Sequence, residues 1–195
     1  PEAGRILIDI LKSLEAMKRI GLAHRDIKPA NILMCHTARQ RPAAKVGDFG
    51  MSTFVDVDGQ VRGRCGTPGY VAPEIITAGV HGGYSNKVDI FSAGVTLYVM
   101  LCGYEPFYGT TNEELIAANK EAHVDFTGPE WSVISEEARD LVRKMMLLDP
   151  AQRLDVKAAL AHPWLQGLDK DSDALDQSQT LPSHEAPTDD ACVIS

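Results

Sequence analysis

The run Val88-Asp-Ile-Phe-Ser-Ala-Gly-Val-Thr-Leu-Tyr-Val-Met-Leu101 is apolar on nearly every side of a helical projection. A helix of that kind cannot lie at a water-facing surface. It has to be covered all round, so Lys87–Leu101 reads as a buried helix that other elements must enclose. The chain can supply that cover. Its 195 residues are 44% hydrophobic, enough for one compact domain with a tail.

Residues 5–20 place Ile6, Leu7, Ile10, Leu11, Leu14 and Met17 at helical spacing, and Gly21 is the stop. Short strands are expected at Asn31–Met34 and Ala44–Val46. Residues 51–70, rich in Gly, Arg and Asp and without periodicity, read as a long functional loop. Further helices are expected over 112–121, 135–148 and 155–161, with Ser135 capping the second of these ahead of Glu136 and Glu137. Trp131, Trp164, Phe107 and Tyr104 read as packing residues.

No apolar run approaches the ~18 residues needed to span a bilayer, and the first twenty residues form an amphipathic helix rather than a secretory signal. The four cysteines, Cys35, Cys65, Cys102 and Cys192, contain no C-x-x-C pair, which argues against a zinc site or disulfide framework and for a reducing, cytoplasmic setting. The net charge is −8, and seven acids against the single Lys170 fall after Trp164, so the preceding part is nearly neutral. Without a Lys/Arg-dense face, nucleic acid is not an expected partner. The segment from 165 onward is Asp-, Ser- and Pro-rich and reads as disordered. Its "DKDSDALDQSQT" (169–180) starts like a calcium loop but has Ala174 at the required glycine and Thr180 at the bidentate acid. It reads as a solvated acidic run. From residue 165 onward there is no basic amphipathic helix of the calmodulin-target kind. Cys192-Val193-Ile194-Ser195 fits the C-a-a-X pattern for farnesylation at Cys192, which beside Asp189 and Asp190 would give only weak, reversible membrane contact.

The densest chemistry lies in His24-Arg-Asp-Ile-Lys-Pro-Ala-Asn-Ile-Leu33. Asp26, Lys28 and Asn31 would not be tolerated unpartnered in a core, yet Ile27, Ile32 and Leu33 want burial. The pattern describes a polar site fixed on an apolar base.

In order along the chain come HRDIKPAN (24–31), DFG (48–50), GTPGYVAPE (66–74), DIFSAG (89–94), LLDPAQR (147–153) and HPW (162–164). Together they resemble the eukaryotic protein-kinase catalytic domain from its catalytic loop onward. "CGYEPFY" and "ISEEARDLVRKMMLLDPAQRL" are similar to the calcium/calmodulin-dependent kinase group. The resemblance implies an α+β kinase-like fold, represented by the mostly helical C-terminal lobe with a short β-hairpin around the catalytic loop and DFG. Residues 1–165 would be this partial catalytic domain and 166–195 the acidic tail.

It further implies a serine/threonine kinase that uses ATP and Mg²⁺ on a protein substrate. Asp26 would accept the hydroxyl proton, Lys28 would offset charge on the transferred group, and Asn31 and Asp48 would hold Mg²⁺. Thr67 would bridge Asp26 and Lys28. His24 would pack against Phe49 and Gly50 of the DFG, and Arg25 could engage a phosphorylated loop. Glu74 and Arg153 would pair, and Asp89 would hold the catalytic-loop backbone. Lys28 and the GTP motif favour serine/threonine over tyrosine.

Departures from the family pattern carry expectations of their own. A glycine-rich loop and a strand lysine belong to an N-terminal lobe absent from these residues. The chain is therefore expected to be a fragment that alone binds ATP weakly and needs that lobe as a partner. Gly63 stands where relatives often carry a phosphorylatable hydroxyl, so the loop is expected to be ordered without a phosphate on that site. Ala30 and Val99 replace acids that can read arginine in substrates. The alternative reading is a non-catalytic, pseudokinase-like scaffold, but Asp26 and Asp48 are both retained.

Overall fold

A computed structural model describes residues 2–36, 42–78 and 82–168. Residues 163–168 are helical and Leu165 joins the buried core, which corrects the expectation of disorder from 165 onward. The acidic stretch from 169, the calcium-loop-like run and Cys192 lie outside the described residues.

Helix α1 (Glu2–Arg19) buries Leu7, Ile10, Leu11, Leu14 and Met17 along one stripe. It ends where Gly21, at φ 70°, takes a left-handed turn that its missing Cβ permits. Strand β1 (Leu22–Ala23) follows. The hairpin of β2 (Ile32–His36) and β3 (Pro42–Val46) is antiparallel, with Ile32 opposite Val46. Both strands run longer than their apolar residues suggest, because the ladder continues to His36 opposite Pro42.

The expectation of an unbroken loop over 51–70 needs correction. Strand β4 (Thr53–Phe54) pairs with β1, and Val61 bridges to Tyr84. These contacts are backbone hydrogen bonds, which leave no side-chain period to read. Helix α2 (Pro73–Thr77), with Pro73 pre-set for its first turn, and a 3₁₀ turn at Pro129–Ser132 also lie where no helix was expected.

Helix α3 (Lys87–Cys102) is the centre of the body. Eleven consecutive residues, Val88 to Tyr98, are buried. Helix α1 packs directly on it, α4 (Asn112–Glu121) packs on α2, α5 (Glu136–Met145) on α3 and α6 (Val156–Leu160) on α1. The last two are shorter than their periodicity suggests. Ser135 caps α5 by accepting from the Ala138 amide at 3.3 Å. At Gly94 of α3 a Cβ would lie 2.8 Å from Met146 and 2.9 Å from Met145, so glycine lets α3 and α5 approach closely. Phe107 stacks on Phe91, and Trp131 donates from Nε1 to the Tyr104 hydroxyl at 3.0 Å. No helix among the described residues is long and apolar enough to cross a membrane.

Candidate active site

The loop after β1 is shaped from below by α3. The buried Asp89 carboxylate accepts the His24 amide at 2.8 Å on one oxygen and the Arg25 amide at 2.7 Å on the other. These two bonds hold Arg25 at φ 71°, a conformation that costs a non-glycine residue energy unless its surroundings enforce it. Burial pushes the Asp89 carboxyl above its usual range, although the two amides oppose the shift. His24 is itself buried. Its Nδ1 accepts from the Asp26 amide at 3.3 Å and its Nε2 lies 3.0 Å from the Gly47 carbonyl, which assigns the Nε2–H tautomer. Its ring meets Phe49 edge-on at 5.0 Å.

On this base sits one carboxylate with three side-chain partners. Asp26 Oδ1 accepts from the Thr67 hydroxyl at 2.6 Å. Its Oδ2 accepts from Lys28 Nζ at 2.8 Å and from Asn31 Nδ2 at 2.9 Å. Lys28 also donates to Thr67 Oγ1 at 2.7 Å, and Asn31 Nδ2 to the Asp26 carbonyl at 2.8 Å. Asp26 is only 5% exposed. Burial would raise its pKa, but the bonds from Lys28, Thr67 and Asn31 and the Lys28 charge together outweigh burial and bring it below the usual carboxylate range.

With both Asn31 Nδ2 hydrogens engaged, the amide is oriented and its Oδ1 accepts no hydrogen bond from the described residues. Asp48 arrives by a different route. Gly47 donates to the Asn31 carbonyl at 2.8 Å, which places Asp48 beside the loop, exposed and at φ 55°. Its Oδ1 accepts from the Gly50 amide at 3.2 Å. No hydrogen bond among the described residues joins it to Asp26, Lys28 or Asn31. The structure thus brings Asp26, Lys28, Asn31 and Thr67 into direct contact and leaves Asp48 as their neighbour.

Among the described residues no group of three or more His, Cys, Asp or Glu could hold a metal alone. One carboxylate and one oriented amide oxygen nevertheless suit Mg²⁺, which takes few protein oxygens and completes its shell with phosphates and water.

The far side of the site is the segment Thr67–Glu74. Arg153 reaches Glu74 with two bonds, Nη1–Oε1 at 2.6 Å and Nη2–Oε2 at 2.9 Å, and its side chain is fully buried. Three further anchors escaped the sequence. Asn119 of α4, buried, accepts from the Gly69 amide at 3.1 Å and donates to the Val71 carbonyl at 2.8 Å. Ser92 of α3 donates to the Tyr70 carbonyl at 2.8 Å. The Tyr70 hydroxyl donates to Glu105 at 3.0 Å, and burial followed by the Glu105 charge raises its pKa. Asn119 offers no sequence signal because its partners are backbone groups some fifty residues away.

The family model for the protein kinase domain matches residues 1–165. A calcium-dependent protein kinase 3 of Plasmodium berghei is 39% identical over 165 residues, covering 84% of this chain and 29% of that protein. A probable serine/threonine-protein kinase, fhkE, of Dictyostelium discoideum is 40% identical over 163 residues, 83% of this chain and 23% of that protein. A calcium/calmodulin-dependent protein kinase type 1 of Macrobrachium nipponense is 37% identical over 166 residues, 85% of this chain and 47% of that protein. The chain therefore spans about a quarter to a half of the length of these relatives.

Proposed function

We propose, because the chain belongs to the protein kinase domain family, that it carries out transfer of the γ-phosphate of ATP to a serine or threonine hydroxyl of a protein. The family generally uses ATP with Mg²⁺ and acts on proteins. The observation that carries the proposal for this chain is the Asp26 carboxylate, held by Lys28, Thr67 and Asn31 on a loop braced by Asp89.

Phosphoryl transfer asks the protein for alignment and charge compensation more than for a strong base. Asp26 fits that demand. Its lowered pKa makes it a weak base, well suited to orient the incoming hydroxyl and accept its proton late. Thr67 fixes the carboxylate's direction. Lys28 keeps a positive charge beside it, where negative charge grows on the transferred group. Asn31 and Asp48 would hold Mg²⁺, which when bound neutralises phosphate charge. Leu33, Met34, Phe49 and Phe54 are each about half exposed or more, and we assign the nucleotide-covering N-terminal lobe as the partner for exposed apolar side chains among them.

The test is labelled-ATP transfer to a Ser/Thr peptide library by the complete protein that carries this chain. Asp26→Asn is expected to lower kcat by about 10²–10⁴-fold with little change in KM for ATP. Full activity in that variant would remove the reading. An inactive wild type that still binds partners would favour the scaffold.

A further inference from the structure

Tyr84 belongs to none of the motifs, yet it joins two parts of the site. It is 5% exposed and stands just before α3. Its backbone pairs with Val61 in both directions, Val61 N to Tyr84 O at 2.8 Å and Tyr84 N to Val61 O at 3.0 Å. Its hydroxyl donates to the Gly63 carbonyl at 2.7 Å and accepts from Arg25 Nη1 at 3.4 Å. Arg25 directly precedes Asp26. The same guanidinium donates from Nε to the Met51 carbonyl at 2.7 Å and from Nη1 to the Arg62 carbonyl at 3.0 Å.

Each of these acceptors is a carbonyl or a hydroxyl of the chain itself. Gly63 takes φ 94°, a left-handed conformation that favours glycine, and a Cβ there would be in ordinary contact with Arg25 Nη1 at 3.6 Å. The neighbouring turn is closed by Arg62 on Asp56 and Asp58, and by the Asp56 amide on the Gln60 carbonyl at 2.7 Å. Between Met51 and Gly66 the only hydroxyl side chains are Ser52 and Thr53. Thr53 lies in β4, and Ser52 Oγ lies 3.5 Å from the His24 carbonyl.

We propose that Tyr84 is a positioning residue: it fastens residues 61–63 to Arg25, so that the Asp26 loop and this segment assemble without a phosphate on residues 51–66. The inference deepens the transferase reading above and rests on it. Charge that an added phosphate would supply is replaced by chain carbonyls on Arg25 and by Asp56 and Asp58 on Arg62.

Tyr84→Phe in the complete protein keeps the ring in the core and removes both side-chain hydrogen bonds. It is expected to lower kcat about five- to ten-fold, with KM for ATP unchanged. The amides of residues 61–65 should exchange faster in the same variant, and phosphatase treatment should leave wild-type kcat unchanged. Arg25→Gln, at the other end of the same contacts, is expected to give a similar kcat loss if Tyr84→Phe melts early. Unchanged kcat and exchange in the variants would overturn the proposal, as would loss of wild-type activity after phosphatase. A wild type with no transferase activity would overturn the reading beneath it, while faster 61–65 exchange in Tyr84→Phe would still support the Tyr84 fastening.

Discussion

The segment from Asp48 to Glu74 is pinned in two places by the same chemistry, a guanidinium on carboxylate. At its end the Arg153 side chain is fully buried and Glu74 is 15% exposed. In its middle Arg62, Asp56 and Asp58 are each more than 40% exposed. Water makes the difference. The outer pair exchanges one hydrated state for another and is screened by salt. The inner pair has lost its hydration, so each partner depends on the other. Sensitivity to the loss of a single partner is therefore concentrated at Glu74 and Arg153, and the middle of the segment is held by many weak contacts.

The sharpest way to break this contrast is to remove one inner partner. Arg153→Met should cost about 3–5 kcal/mol in urea unfolding, because Glu74 is left largely desolvated without its cation. Glu74→Leu with Arg153→Met should recover most of that loss. A double variant as weak as the single one would show that the pair contributes net stability, contrary to the argument. Next comes Asn119→Ala, which strands the Gly69 amide and the Val71 carbonyl in the interior. About 2–3 kcal/mol is expected, with faster exchange of the Gly69 amide.

A smaller effect concerns Asp26. Its folded pKa is depressed, so its contribution to stability is present above the unfolded carboxylate range near pH 4 and lost as pH falls through the lower folded value. The stability gap between wild type and Asp26→Asn should shrink when unfolding is measured from pH 6 to pH 3. The smallest effect is expected for the pair Asp56→Asn and Asp58→Asn. A slight fall in thermal midpoint at low salt should vanish at high salt. A large, salt-independent fall would place this turn with the inner pair.

The sequence was legible where the chemistry requires a particular residue type. Asp26, Lys28 and Asn31 stand out because charged and amide groups are costly to bury among apolar neighbours, whereas Asp48, Asp89, Glu74 and Arg153 were legible through the kinase motifs that carry them. Helix α3 was legible for the opposite reason, its near-absence of polar residues. Strands β1 and β4 were not, since two residues carry no alternation. Tyr84 and Asn119 were also hidden. Each is an ordinary residue type, and its partners are main-chain atoms and, for Tyr84, also the Arg25 guanidinium far away in sequence, none of which leaves a local signature. The Asp26 cluster was readable as a set, but Asp48 lies beside it without a hydrogen bond to it, a distinction that spacing cannot supply.

The two hydrogen bonds that Asp89 accepts from the His24 and Arg25 amides also set how the site responds to heat. They tie an irregular loop to the most deeply enclosed of the described helices, so the proposed reaction centre should inherit the thermal behaviour of the interior rather than that of surface loops. Warming should leave the chemistry intact until α3 itself loosens, and inactivation and global melting should then coincide in temperature.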